Sequence, residues 1–147
     1  MLKRISVSKR HLVAITLGMF AALLFLTTPV PAAETPQQQL ERAETLSAEA
    51  TVKATLALET GDLALAQEAQ ALATEAAEIV STVADIAADT GDTALAQAAL
   101  NASVGVGEAT NIIVGAAETI AATSTDTATV EAATALATTA TTTAETT

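Results

Sequence analysis

The side chains that could do chemistry in this 147-residue chain are few and unevenly placed. From Ala33 onward there is no Cys, His, Met, Phe, Tyr or Trp, and the only basic residues are Arg42 and Lys53. Nucleophilic catalysis needs an activating base beside the nucleophile, and structural zinc sites need Cys or His ligands. We therefore expect no catalytic residues, no metal site, no cofactor site and no enzymatic activity.

The acidic side chains are the one abundant reactive group. All 17 follow Ala33, and against two basic residues they give that part a formal charge of −15. A catalytic carboxylate pair needs a pocket that separates the two pKa values, and no aromatic residue is available to wall one. Nucleic acid is excluded as a partner, because neutralisation of its phosphates supplies most of such affinity.

The N-terminal segment has the pattern of an export signal. Basic residues precede an uncharged apolar run at residues 12–26, Pro29 and Pro31 follow, and Val30-Pro31-Ala32 suits cleavage before Ala33. The sequence thus predicts a signal peptide at 1–32 and a secreted or periplasmic protein. The alternative is an uncleaved membrane anchor at residues 12–28, although a spanning helix needs roughly 20 apolar residues.

A repeat organises the remainder. The segment 60–70 returns at 90–100, with 8 of 11 positions identical at a spacing of 30, and each copy opens on Thr-Gly-Asp. Gly favours the left-handed conformation that ends a helix, and Asp is a preferred N-cap of the next. The alternative is a Gly tolerated inside one long helix. The predicted turn residues are Gly61, Asp62, Gly91 and Asp92.

After each turn, apolar residues recur at alternating four- and three-residue steps, which is typical of helices that pack on helices in bundles and coiled coils. Glu75, Glu78 and Asp85 fall on the opposite side and are expected to face water. The predicted packing or interaction seam comprises Leu65, Leu72, Ile79, Val83 and Ile86 in the second helix and Leu95, Val106, Ile113 and Ile120 in the third.

These patterns predict an all-α protein: an antiparallel, alanine-rich bundle with helices near 37–59, 63–89 and 93–122, and a weaker fourth near 127–140. Short connections force sequential helices to run antiparallel. The bundle core is placed at 33–122. Residues 123–147 are of low complexity, mostly Thr and Ala, and are expected to form a short helix and a disordered, frayed tail.

Two classes of function remain. The first is an exported structural or protein-interaction bundle that associates with a protein partner or with itself. The alternative is an amphipathic helical protein that reversibly binds lipid or other apolar surfaces. Interfacial helices usually carry Lys or Arg on the polar face and Trp, Phe or Leu on the other, and this chain is acidic instead. Membrane contact is expected only if the leader is retained or the lipid alternative holds.

Overall fold

The computed structural model describes residues 34–146, which form four helices and no strand. The helices are α1 (Pro36–Thr60), α2 (Leu63–Thr90), α3 (Thr93–Thr123) and α4 (Thr127–Glu145). Alanine, the best helix former, dominates their sequences. The all-α prediction is confirmed for this part of the chain. The predicted signal peptide at 1–32 and the anchor alternative at 12–28 lie outside the described residues.

The repeated Thr-Gly-Asp forms the first two connections. Gly61 and Gly91 end α1 and α2 with φ values of 70° and 68°, the left-handed conformation that glycine adopts without steric cost. Asp62 and Asp92 then cap α2 and α3. Each carboxylate accepts the backbone amides two and three residues further on, at 2.9 to 3.3 Å. Each copy of the repeat therefore ends one helix and begins the next.

The third connection, between α3 and α4, contains no glycine. Asp126 caps α4, and its carboxylate accepts the backbone amide of Thr129 at 2.9 Å and its hydroxyl at 2.7 Å. These bonds favour the ionised carboxylate, and they hold the pKa of Asp126 below its ordinary value. The start of α4 is thus fixed by a charged aspartate cap, as the starts of α2 and α3 are.

Cross-helix contacts give the direction of the helices. Arg42 meets Glu75 and Lys53 meets Glu68, so α1 and α2 run antiparallel. Within the described residues, the central helices α2 and α3 each contact all the other helices. Helices α1 and α4 do not contact each other within this part of the chain. None of the helices in residues 34–146 is long and apolar enough to span a bilayer.

The core is divided along the bundle. At the Gly61 turn, the C-terminal halves of α1 and α3 pack with the N-terminal half of α2 and with α4, and we call this the four-helix end. At the Gly91 turn, only the other halves of α1, α2 and α3 pack together, and we call this the three-helix end. The division exists because α4 is the shortest helix and starts at the end of α3.

Helix α4 corrects the prediction for the C-terminal tail. The tail was expected to fray beyond about residue 140, and the helix instead continues to Glu145. Burial of Ala140 and Thr143 against the bundle stabilises it. The threonine hydroxyls find acceptors within the helix, as Thr139 donates to the carbonyl of Ala135 at 3.0 Å. Tertiary packing here overrides the low helix propensity of threonine.

Candidate functional site

The predicted seam of α3 lies at the centre of the bundle. All four of its large residues are buried, and Val106 and Ile113 have no exposed surface. The intervening alanines at the same four- and three-residue steps, such as Ala99 and Ala109, are buried as well. In α3, the apolar pattern therefore coincides with the buried face.

The predicted seam of α2 packs against the core, but four of its five residues do not lie at the centre. Val83 is buried, but Leu65, Leu72, Ile79 and Ile86 are only half-buried and lie at the margin of the core. The centre is occupied by a neighbouring row, one residue further along the helix. That row comprises Ala66, Ala73, Val80 and Ala87, all buried.

The burial of the alanine row of α2, in place of the predicted leucine and isoleucine row, has a steric reason. The faces of α1 and α2 that meet in the core are lined mainly by alanine, including Ala50 and Ala69, and close approach of these helices leaves little volume between them. Ile113 and Val106 of α3 fill that volume. Leucine and isoleucine on α2 are therefore displaced to the margin, where they cover the alanines from the side.

The acidic residues predicted to face water behave differently from one another. Glu78 and Asp85 are exposed, whereas Glu75 is partly covered and forms an ion pair with Arg42. Arg42 also lies 3.7 Å from Glu34. This arginine therefore links the start of α1 to the middle of α2.

Lys53 makes the second bridge between α1 and α2. Its ammonium group donates to Glu68 at 2.9 Å and lies 4.0 Å from Glu49. The hydrogen bond to Glu68 and the negative charge of that group raise the pKa of Lys53. Both basic residues of the described part thus brace the same pair of helices. Sequence reasoning missed these pairs, because partners 15 and 33 residues apart are recognised only once the antiparallel register is known.

A buried polar contact joins α4 to α2. The Gln70 side-chain amide donates to the hydroxyls of Thr143 at 2.8 Å and Thr74 at 3.0 Å, and Gln70 is almost fully buried. Burying the amide nitrogen of Gln70 would be costly without these bonds, so they favour the position at which α4 docks. Sequence reasoning missed it too. The only available signal was that the repeat has Gln at position 70 where its second copy has Leu100.

Five large apolar side chains are exposed in the described part of the chain, and apart from Leu58 they form two pairs. On α1, Val52 is 67% exposed and Leu56 is 44% exposed; on α3, Leu100 is 59% exposed and Val104 is 57% exposed. Both pairs are spaced four residues apart, so each forms a ridge on one face of its helix. These ridges are suited to contact with another apolar surface.

The geometry thus consists of packing surfaces, capped turns and exposed ridges. Within residues 34–146, no three side chains of the metal-ligating types are grouped closely enough to hold an ion. The cleft beside the Arg42 ion pair is shallow and is lined by Glu34, Glu75 and Ile79 among others. No family model, no curated protein and no solved structure matches this chain.

Proposed function

We propose that the protein is an exported, non-enzymatic helical bundle that serves as a structural or protein-interaction module. The observation that carries this proposal is the pair of apolar ridges, above all Leu100 and Val104, on a bundle whose other surfaces are strongly acidic. Exposed apolar patches rimmed by polar residues mark interaction sites on soluble proteins. The site of action is extracytoplasmic, which the order of basic, apolar and small residues at 1–32 supports.

The packing favours a module that presents a preformed surface. The helices are closed on one another through alanine contacts, and the ends of α1, α2 and α3 at the connections are capped. A protein that opens to bind lipid would have to break these contacts and the Gln70–Thr143 hydrogen bond. Its acidic polar faces would also be repelled by anionic lipid headgroups.

The test measures helicity and vesicle binding of the protein made from the full chain. Circular dichroism in buffer is expected to show a protein that is already helical. Vesicles of neutral or anionic phospholipid should leave that signal unchanged, and the protein should not float with them. A sharp rise in helicity together with flotation would overturn the proposal in favour of the lipid alternative.

Export has a separate test. The intact mass of the protein recovered from an expressing bacterial host is expected to correspond to a chain that begins at Ala33, in the extracytoplasmic fraction. A full-length species that stays with membranes after a carbonate wash would instead identify residues 12–28 as an anchor.

A further inference from the structure

The two copies of the repeat are used differently in the bundle. In the first copy, Ala66 and Gln70 are buried, and Gln70 is bonded to Thr143 of α4. The equivalent residues of the second copy, 30 positions later, are Ala96 and Leu100, and both are exposed. The surface that α4 covers on α2 therefore has an uncovered counterpart on α3, at the three-helix end.

This uncovered surface continues the face on which α4 lies. At the four-helix end, α4 flanks Val114, Ala117 and Ala121 of α3. Residues seven apart lie on nearly the same side of a helix, and steps of seven from Ala121 lead through Val114 to Gly107 and Leu100. We call the continuation the uncharged face. It comprises Ala96, Leu100, Ser103, Val104 and Gly107.

The charge pattern identifies what can approach this face. Between Asp92 and Glu108 the chain has no charged side chain, although the part from Ala33 onward carries a formal charge of −15. A second copy is repelled by the acidic sides of α1 and α2. Helix α4 is also uncharged between Glu131 and Glu145 but has no exposed large apolar side chain, so the uncharged face of α3 is where a second copy finds apolar contact without repulsion. A basic partner would be drawn to those acidic sides instead. The apolar ridge on α1 has more charge around it, because Lys53 lies between Val52 and Leu56 and Glu49 and Glu59 flank both ends. On α3 the nearest charged residue to the ridge is Glu108, four positions after Val104.

The uncharged face is also complementary to itself. A two-fold dimer requires one patch to supply both the protruding and the receiving groups. Here Leu100 and Val104 protrude, and Ser103 and Gly107 leave space on the same helix for the leucine of an antiparallel partner. Small residues let two helices approach closely, at 8–10 Å between axes as an approximate range.

We propose that two copies of this chain associate through their uncharged faces, with α3 packed antiparallel against α3 about a two-fold axis near Ser103. The dimer covers Leu100 as α4 covers Gln70. This inference rests on the proposed function and names the partner as a second copy. The contact is small, so the dimer forms at micromolar concentrations and strengthens with salt, because salt screens the repulsion between the acidic subunits.

The experiment is sedimentation velocity on the protein made from the full chain, at several micromolar concentrations and at low and high salt. Wild type is expected to show a monomer–dimer equilibrium that shifts towards dimer with salt. Leu100→Glu buries a charge against the apolar partner helix beside the axis and should weaken the dimer at least about tenfold. Val52→Glu, an equally exposed change on α1, should alter it less than about twofold.

Cysteine cross-linking gives an independent readout, because the chain contains no Cys. Under mild oxidation, Ser103→Cys is expected to form a disulfide-linked dimer much faster than Thr55→Cys on the outer side of α1. The proposal is overturned if wild type stays monomeric at every concentration and salt, if both glutamate variants weaken the dimer equally, or if Leu100→Glu affects only binding to vesicles. If the protein is monomeric and does not bind vesicles, the dimer proposal fails and the proposed function is retained with a different partner. Failure of the dimer proposal can therefore be distinguished from failure of the proposed function.

Discussion

Helices α2 and α3 open on nearly the same 11 residues, yet they bury different faces of that sequence. In α3, Leu95 is buried and Ala96 is exposed; in α2, Leu65 is half-buried and Ala66 is buried. One residue is a rotation of about 100° around a helix. The comparison therefore shows that the two copies are turned differently relative to the core.

The neighbours of each helix account for this difference. At the start of α2, α4 lies against the side that carries Ala66 and Gln70. At the start of α3, no helix of the described part covers the equivalent side, and the larger Leu95 turns inward instead. An alanine-rich helix has apolar residues on most of its circumference, so several orientations are compatible with its sequence. The surrounding helices select one of them.

The largest expected effect is a loss of stability that differs between the predicted seams of α2 and α3. Ile113→Ala removes a fully buried side chain at the centre of α3 and should lower the free energy of unfolding by about 2–5 kcal/mol. Ile79→Ala removes a half-buried side chain at the margin of α2 and should cost about 1 kcal/mol. Urea denaturation of both variants measures the difference. Equal losses would show that Ile79 is as central as the sequence pattern predicts.

The next effect tests the small residues at the centre of α2. Ala73→Leu inserts a larger side chain where alanine has no exposed surface, and it should destabilise the protein by about 1–3 kcal/mol through overpacking. The matched control is Ala71→Leu on the exposed side of the same helix, with an expected change within about 0.5 kcal/mol. Thermal unfolding compares the pair. A stabilised Ala73→Leu variant would reveal unfilled space and contradict the steric explanation.

A smaller effect on stability distinguishes a glycine in a connection from a glycine inside a helix. Gly91→Ala should lower stability by about 1 kcal/mol because the site has a φ of 68° and no atom within 4 Å of an added Cβ, which leaves backbone strain as the whole cost. Gly115→Ala, inside α3 with similar free space, should raise stability by about 0.5–1 kcal/mol. Chemical denaturation should thus give opposite signs. The same sign at both sites would contradict the assigned turn.

The smallest effect concerns the cap of α4. The pKa of Asp126 is lowered in the folded state, so its charge stabilises the protein above the ordinary carboxyl pKa, and this contribution is lost as the pH falls through the lowered value. Asp126→Asn keeps a capping side chain without the charge. Wild type should melt slightly above this variant at neutral pH, and the gap should close in acid. A gap independent of pH would rule out the charge as its source.

The helical class and the positions of the connections follow from the amino-acid sequence alone. Gly61 and Gly91 are followed by Asp62 and Asp92, and a left-handed glycine before a capping aspartate is a local arrangement that needs no distant contact. The buried face of α3 was also predictable, because Leu95, Val106, Ile113 and Ile120 and the alanines between them follow unbroken four- and three-residue steps, although Leu100 and Val104 lie outside that row. Local chemistry and a narrow apolar pattern are sufficient in such cases.

The orientation of α2, the length of α4 and the contacts between helices depend instead on tertiary packing. The row of α2 with Leu65, Leu72, Ile79 and Ile86 is the more hydrophobic, yet the buried row is the adjacent one, which is mostly alanine. Alanine is apolar enough to be buried, and the narrow space left by α1, α3 and α4 accepts the smaller side chains. Thr143 gains helical order from its burial beside Gln70, which its own propensity would not provide. The exposure of Leu100 has the same origin, because α4 ends before it reaches that half of the bundle.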